Sequence, residues 1–451
     1  MSAAATDGLP RAQFRAAVGT IVIAVGLASL DTSIANTALP TIARDLAASP
    51  ASSIWVVNAY QIALVATLLP LGALGEIVGF RRVYVAGLAV FTVASLLCAL
   101  SWSLPTLTAA RVLQGLGAAG VMSVNTALIR FIYPSNRLGR GVGFNALIVA
   151  TATALGPTVA ALILSVATWP VLFAVNVVPG MIAVVLAIRA LPETPRAPRR
   201  FDLVGSALSA LTFSSLIIAI DASAHRATLW ETVMVAAVAL GAGTLLVRHQ
   251  AGQVAPLLPL DLYRRPLFAL SSLTSICSFT AQGLSFVSLP FLFQTVLGHT
   301  AVQTGILLTP WPVMTGIMAP IAGPLSDRYP PAILGGIGLA ILSTGLVLLA
   351  SMPETTPDWG IMVRMGVCGM GFGFFQSPNL KAIMSSAPPN RSGGASGTVA
   401  TSRLLGQSMG AALVALCFGL VGTAGPGLAL SLAAGFAGVA CVVSFSRLAA
   451  H

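Results

Sequence analysis

The sequence runs to 451 residues, of which 56% are hydrophobic and only 8% charged. A soluble globular domain carries about 25% charged residues, so composition excludes one, and long unbroken apolar runs exclude an outer-membrane barrel, whose strands alternate. The formal net charge of +11 does not point to nucleic acid, because the basic residues sit in short segments between apolar runs.

Fourteen apolar spans are predicted, at about 16–40, 53–78, 83–101, 105–128, 141–165, 169–189, 203–221, 230–247, 267–297, 301–324, 331–351, 359–382, 394–420 and 425–446. The first holds one charge, Asp31, far from either end. A crossing takes ~20 apolar residues, and an ionised carboxylate at mid-bilayer costs roughly 2.5–3.5 kcal/mol. Asp31 is therefore a functional candidate; the alternatives are a helix cap or a neutral acid. The fourth span holds Arg111, a group that cannot lose its proton. Gln114 and Gly115 follow it on the same helix face. Asp31 is the one acid near the middle of any span in the first half, so Arg111 is expected to pair with it. At ~4 Å and an effective dielectric near 20 such a pair gains ~4 kcal/mol, which offsets much of the burial cost. Displacing Arg111 lets the carboxyl exchange a proton; a static structural pair is the alternative.

Charge asymmetry sets orientation. On the side of the N-terminus lie Arg11, Arg15, Arg81, Arg82, Arg130, Arg137, Arg140, Arg189, Arg196, Arg199, Arg200, Arg248, Arg264, Arg265, Arg328, Lys381, Arg391 and Arg447, most of the 23 basic residues. Arg44 and Arg226 lie opposite. The positive-inside rule then expects a multi-pass cell-membrane (inner-membrane) protein with both termini cytoplasmic. Trp55, Trp102, Trp169, Trp230 and Trp359 fall at the other ends of spans, where indoles favour the interface; Trp311 falls within a span.

Two polar, Pro-rich breaks, at 192–202 and 250–266, divide the chain. The expected units are a six-helix bundle over 1–200, two further helices over 201–252 and a second six-helix bundle over 253–451. Gly72-x-Leu74-x-Glu76 and Gly323-x-Leu325-x-Asp327-Arg328 close the second span of each bundle, a weak internal repeat. Two similar bundles with a site at the midplane between them is a common transporter plan. The seventh and eighth helices, poor in polar residues, are expected at the periphery.

The residues resemble a family. Leu30 to Pro40 (LDTSIANTALP) is similar to the first-helix signature of 14-helix drug:proton antiporters of the major facilitator superfamily. Gly72 to Arg82 (GALGEIVGFRR) resembles the superfamily loop motif, with Glu76 where Asp is usual. Arg111 to Gly117 resembles its helix-4 motif. Gly156-Pro157, followed by Ala160 and Ala161, resembles the antiporter motif of helix 5. Asn176 and Pro179, then Pro290, Gln294, Gly298, Gly305 and Pro310, and the stretch from Gly394 (GASGTVATSRLLGQSMG) fit later parts of the pattern. The resemblance covers nearly the whole chain. It implies an all-α integral membrane protein of the major facilitator fold, two six-helix bundles plus two central helices, and export of amphiphilic drug-like compounds in exchange for protons.

Physical chemistry stands beside each motif. Glu76, Arg81, Arg82, Asp327 and Arg328 sit at helix ends where carboxylates can cap neighbouring N-termini; they are read as a gate or as topogenic charge. Gly156-Pro157 removes a backbone hydrogen bond and allows close packing; it is read as a pivot or as ordinary packing. Substrate-cavity candidates are Asn36, Asn58, Gln61, Gln114, Asn145, Asn176, Gln282, Gln294, Gln376, Asn379 and Gln407, with Phe375 beside Phe372 and Phe374 as an aromatic wall. Arg403, within a family-like motif, is assigned no role. The resemblance also bears on substrate charge: some members of that family that pump dications carry extra acids in helices 10 or 13, and this chain has none there before Asp327, which implies monocationic, neutral or zwitterionic amphiphiles. The five Cys and four His are scattered, so no metal or cofactor is expected. No nucleophile–base set suggests an enzyme. The partners expected are the substrate, protons and lipid, with a monomeric chain. The rivals are a symporter or metabolite exporter of the same fold and a non-transporting receptor or scaffold.

Overall fold

The computed structural model describes residues 8–134, 138–197, 200–224, 229–251, 253, 260–387 and 392–450. Arg137, Arg199, Arg226 and Arg391, named above, and two of the four His, His225 and His451, lie outside them. The main helices are α1 (Arg11–Asp45), α2 (Trp55–Val78), α3 (Phe80–Ala99), α4 (Leu104–Ile132), α5 (Leu138–Val166), α6 (Val177–Ala190), α7 (Leu203–Ala224), α8 (Leu229–Ala251), α9 (Pro266–Phe291), α10 (Pro310–Arg328), α11 (Pro331–Ala350), α12 (Asp358–Ser386), α13 (Ser392–Val421) and α14 (Gly425–Ser446).

By length and composition, twelve stretches among the described residues can cross a membrane. The last runs from Gly397 to Ala449 and takes in most of α13 and all of α14, joined by a single 3₁₀ turn at Gly422–Ala424. α12 falls outside the twelve although it is 29 residues long, because Arg364, Gln376, Asn379, Lys381 and its glycines dilute its apolar content.

Prolines and glycines set the helix breaks. Gly79, at φ +102°, turns the chain between α2 and α3, a conformation that favours glycine. The sixth predicted span divides into a turn at Val171–Ala174 and α6, leaving Asn176 at the break. The tenth divides at Thr309–Pro310 into a short helix, Ala301–Leu308, and α10. After Pro290, α9 ends in a π turn, Leu292–Val296.

In the first half α4 packs between α2 and α3, and α1 lies against α5 and α6; in the second, α9 packs against α13 and α14, and α12 between α10 and α11. α9 is the most enclosed of these. Its Ser272, Ser285 and Ser288 hydroxyls donate to the carbonyls of Phe268, Ala281 and Leu284, so polar residues sit in an apolar core with their hydrogen bonds made. α7 corrects the expected periphery: it packs on α2 and α13, one helix from each half, while α8 packs mainly on α7. Phe213 of α7 lies against the cluster of Tyr60, Leu64, Leu68 and Leu404. Trp102, Trp230 and Trp359 are well exposed, as an interfacial belt requires. Trp169 departs from that expectation, being buried edge-on to Phe173.

The two ends of the bundle differ. One end, here the basic end, carries the start of α1, the α2–α3 turn and the C-terminal ends of α10, α12 and α14. Hydrogen bonds that join the halves lie from the middle of the bundle toward the other end. Gln294 donates to the Thr37 carbonyl at 3.3 Å and accepts from Thr41 at 3.4 Å. Thr158 meets Thr309 at 3.1 Å, and Ser408 donates to Gln61 at 3.4 Å.

Candidate functional site

Asp31 and Arg111 are both buried, and Arg111 Nη1 donates to Asp31 Oδ2 at 2.5 Å. The same Nη1 reaches Gln114 Oε1 at 2.6 Å, and Nε donates to the Val56 carbonyl at 2.9 Å. The guanidinium lies under the Tyr60 ring, 4.2 Å from its centroid, a distance at which the ring quadrupole favours a cation. Asp31 Oδ1 accepts from Gln114 Nε2 at 2.9 Å and from Asn176 Nδ2 at 2.8 Å. Gln114 also donates to Ser95 at 2.9 Å. One carboxylate thus takes three donors brought by α4 and the break before α6, with α3 orienting one of them. Charge-assisted bonds of this kind are the strong ones, and they account for a charged group that burial alone would expel.

Beside this network lies a cavity of about 70 Å³. The first half supplies Ser29, Thr32, Ser33, Asn36, Tyr60 and Gln61, among others, and the second supplies Gln282, Phe286, Arg403, Leu404 and Gln407. It therefore sits at the junction of the halves. Tyr60 belongs to both features: its ring covers Arg111 and lines the cavity.

Several candidate residues are placed elsewhere. Of the cavity set, Asn36, Gln61, Gln282 and Gln407 line it. Gln114 and Asn176 are taken up by Asp31, and Gln294 by Thr37 and Thr41. Asn58 is buried in α2 away from the lining. Asn145 accepts from Asn125 at 2.7 Å between α4 and α5. Asn379 donates to Ser275 at 2.8 Å and accepts from Arg447 at 2.8 Å inside the second half. Phe375 stacks on Phe372, which contacts Phe279 and Trp311, so this aromatic group is core, and Gln376 lies with it on α12 outside the lining. The aromatic side chains on the cavity wall are Tyr60 and Phe286.

Gly156 and Pro157 hold α5 against two partners. Pro157 has no N–H for the Thr153 carbonyl, and Ser33 Oγ donates to that carbonyl instead, at 3.0 Å. A Cβ on Gly156 would stand 2.2 Å from Ser33 Oγ, and one on Gly305 would stand 2.5 Å from the Pro157 carbonyl. Of the expected gate residues, Arg81 and Asp327 pair within their own halves. Arg81 donates to the Ile188 carbonyl and lies 3.8 Å from Glu193. The Glu76 carbonyl accepts from Ala197 N–H at 2.7 Å. Asp327 pairs with Lys381 at 2.5 Å. Arg82 and Arg328 are exposed.

Sequence reasoning missed Tyr60, Ser95 and Phe286, which no motif or charge marks out. Arg403 was visible as an unexplained charge in an apolar run.

Comparison with known proteins agrees with this architecture. The sequence profile of the Major Facilitator Superfamily matches residues 21–411. The chain is 53% identical over 444 residues to the uncharacterized transporter YebQ of Escherichia coli (strain K12), covering 98% of this chain and 97% of that one. It is 30% identical over 402 residues to the riboflavin transporter RibZ of Clostridioides difficile (strain 630), covering 88% and 87%. Multidrug resistance protein Stp of Mycobacterium tuberculosis (strain ATCC 25618 / H37Rv) is 30% identical over 390 residues, covering 85% and 72%. A bacterial homologue of the human lysosomal transporter Spinster, in an inward-facing and unoccupied conformation, superimposes with a TM-score of 0.70 at 13% identity, covering 98% of each chain.

Proposed function

The chain belongs to the major facilitator superfamily, and from that premise we propose that it is a proton-coupled efflux antiporter of small amphiphilic compounds in the bacterial inner membrane. It is a multi-pass membrane transporter and not an enzyme. Dividing the last apolar stretch at Gly422–Ala424 and counting α12 gives fourteen spans. An even number brings both termini to the basic end, which faces the cytoplasm under the positive-inside rule. The hydrogen bonds joining the halves then lie toward the outside, and the described conformation is closed there.

The observation that carries the reading is the buried Asp31–Arg111 pair beside a cavity between the halves. When the halves rock, Arg111 draws away toward Gln114, the Val56 carbonyl and the Tyr60 ring. A carboxylate left without its cation in apolar surroundings neutralises by taking a proton. Re-pairing with Arg111 on the other side of the cycle expels that proton to the cytoplasm as substrate leaves outward. One charge falling through 100 mV releases ~2.3 kcal/mol, which sustains roughly a fifty-fold gradient for an exchange moving one net charge. Gly156 and Pro157 form the seam on which α5 meets α1 and the second half. Glu76, Arg81, Arg82, Asp327 and Arg328 close the cytoplasmic side in the opposite state.

Stp's designation as a multidrug resistance protein supports drug-like substrates. The likeness to RibZ, a riboflavin transporter, supports a second reading, a metabolite exporter on the same machinery. The test is substrate-induced pH change in everted vesicles, over a panel of amphiphilic cations, neutral compounds and weak acids, comparing wild type with D31N. Proton efflux from vesicles upon substrate addition in wild type, absent in D31N, is expected; equal signals overturn the reading.

A further inference from the structure

We propose that the cavity binds an anionic group, a carboxylate on an amphiphilic body, and that Arg403 is the residue that recognises it. Among the described residues Arg403 is the single charged side chain lining the cavity. Its Nε is buried without a partner, and among the described residues it makes no hydrogen bond or ion pair. Arg111 also has one buried nitrogen without a partner, Nη2, but it and the other buried or intramembrane arginines among the described residues are held by further bonds. Arg111 has Asp31, Gln114 and the Val56 carbonyl. Arg447 donates to Asn379, Ser271 and Ser444. Arg364 donates to the carbonyls of Leu348 and Gly360.

A guanidinium stays protonated and needs compensation within the membrane. Asp31 cannot supply it, since both its oxygens are taken by Arg111, Gln114 and Asn176. The cavity therefore carries an uncompensated positive charge, and its ligand is the remaining source of a negative one. Neutral donors stand around it. Gln282 accepts from Gln407 at 3.1 Å, which leaves its own amide hydrogens for a bound oxygen. Tyr60, Phe286 and Leu404 offer apolar surface for the body. A guanidinium also matches the two oxygens of a carboxylate in a bidentate fork. This assignment differs from the sequence-based expectation of monocationic, neutral or zwitterionic amphiphiles.

The substrate class rests on the transport reading, whereas the anion site stands on binding alone, and the two are tested separately. Equilibrium dialysis of the purified full chain compares naphthylacetate, naphthylacetamide and naphthylethylammonium. Wild type is expected to bind the carboxylate roughly tenfold or more tighter than the amide or the cation, and R403Q to lose that preference. R403K is expected to keep part of it. The unfolding temperature of R403Q is expected to stay level or rise, because an unpaired charge is removed; a purely structural arginine predicts a fall. No carboxylate preference in wild type, including no binding of any probe, overturns the proposal, as does a preference that survives in R403Q. In D31N the preference is expected to persist. Loss of proton movement there with the preference intact supports both readings, whereas proton movement that continues in D31N removes the coupling mechanism and leaves the anion site to its own result.

Discussion

Arg111 in the first half and Arg447 in the second are both fully buried, yet they are held by different chemistry. Arg111 faces a carboxylate in the middle of the bundle. Arg447, at the end of α14, is held by the neutral oxygens of Asn379, Ser271 and Ser444 and has no acid among the described residues. The surrounding cores match this contrast: the second half stacks Phe279, Trp311, Phe372 and Phe375, while the first threads Ser95, Gln114 and Asn176 to Asp31. A neutral clamp fixes a helix end and has no proton to give. A carboxylate–guanidinium pair can come apart and exchange one. Under the proposed mechanism coupling falls to the first half and scaffolding to this part of the second.

The largest expected effect breaks the first arrangement. R111A leaves Asp31 buried without its cation and should lower stability by about 3–5 kcal/mol, measured by unfolding in detergent. The D31N/R111A double variant should recover much of that loss, since the two residues are in contact. N379A sharpens the comparison from the other side. It removes one hydrogen bond to a charged group, worth about 1.5–3 kcal/mol, and should leave proton coupling unchanged, whereas N176A should carry a similar stability loss and shift the pH dependence of exchange. G156A drives a methyl into Ser33 and should cost about 1–3 kcal/mol, with transport rate falling alongside the unfolding temperature.

The smallest effect lies outside both halves. Asp202, ahead of α7, accepts from Gly205 N–H at 2.8 Å, His249 at 2.9 Å and Gln250 at 3.0 Å. Burial pushes its carboxyl upward, but these donors outweigh it and hold the group below its usual range. Its stabilisation is therefore present above the ordinary carboxylate value of about 4 and is lost as pH falls below that. D202N should lower the unfolding temperature slightly at neutral pH and flatten the acid limb of its pH profile, with wild type and variant converging below about pH 4.

The Asp31–Arg111 contact was legible because each is a lone charge in a long apolar run, and opposite charges in a membrane find each other. The α2–α3 turn was legible through the break between the second and third spans and the GALGEIVGFRR motif across it. Asn176 as an Asp31 ligand was not, because its placement depends on a helix break that apolar periodicity does not register. Cavity membership was legible only in part: Asn36, Gln61, Gln282 and Gln407 line it, but an amide such as Asn379 looks the same in sequence whether it faces a cavity or clamps Arg447. The place of α7 depends on both halves at once, so its own low polarity pointed the wrong way. Arg403 was seen, but its lack of a partner is a property of three-dimensional surroundings.

The central claim is that the Asp31 carboxyl carries the coupled proton. Its most direct test is proton flux from proteoliposomes holding wild type or D31N at matched protein content, driven by an imposed substrate gradient. Substrate-dependent flux in wild type that vanishes in D31N, while D31N still exchanges substrate down its gradient, is the predicted result. Undiminished flux in D31N would contradict the account.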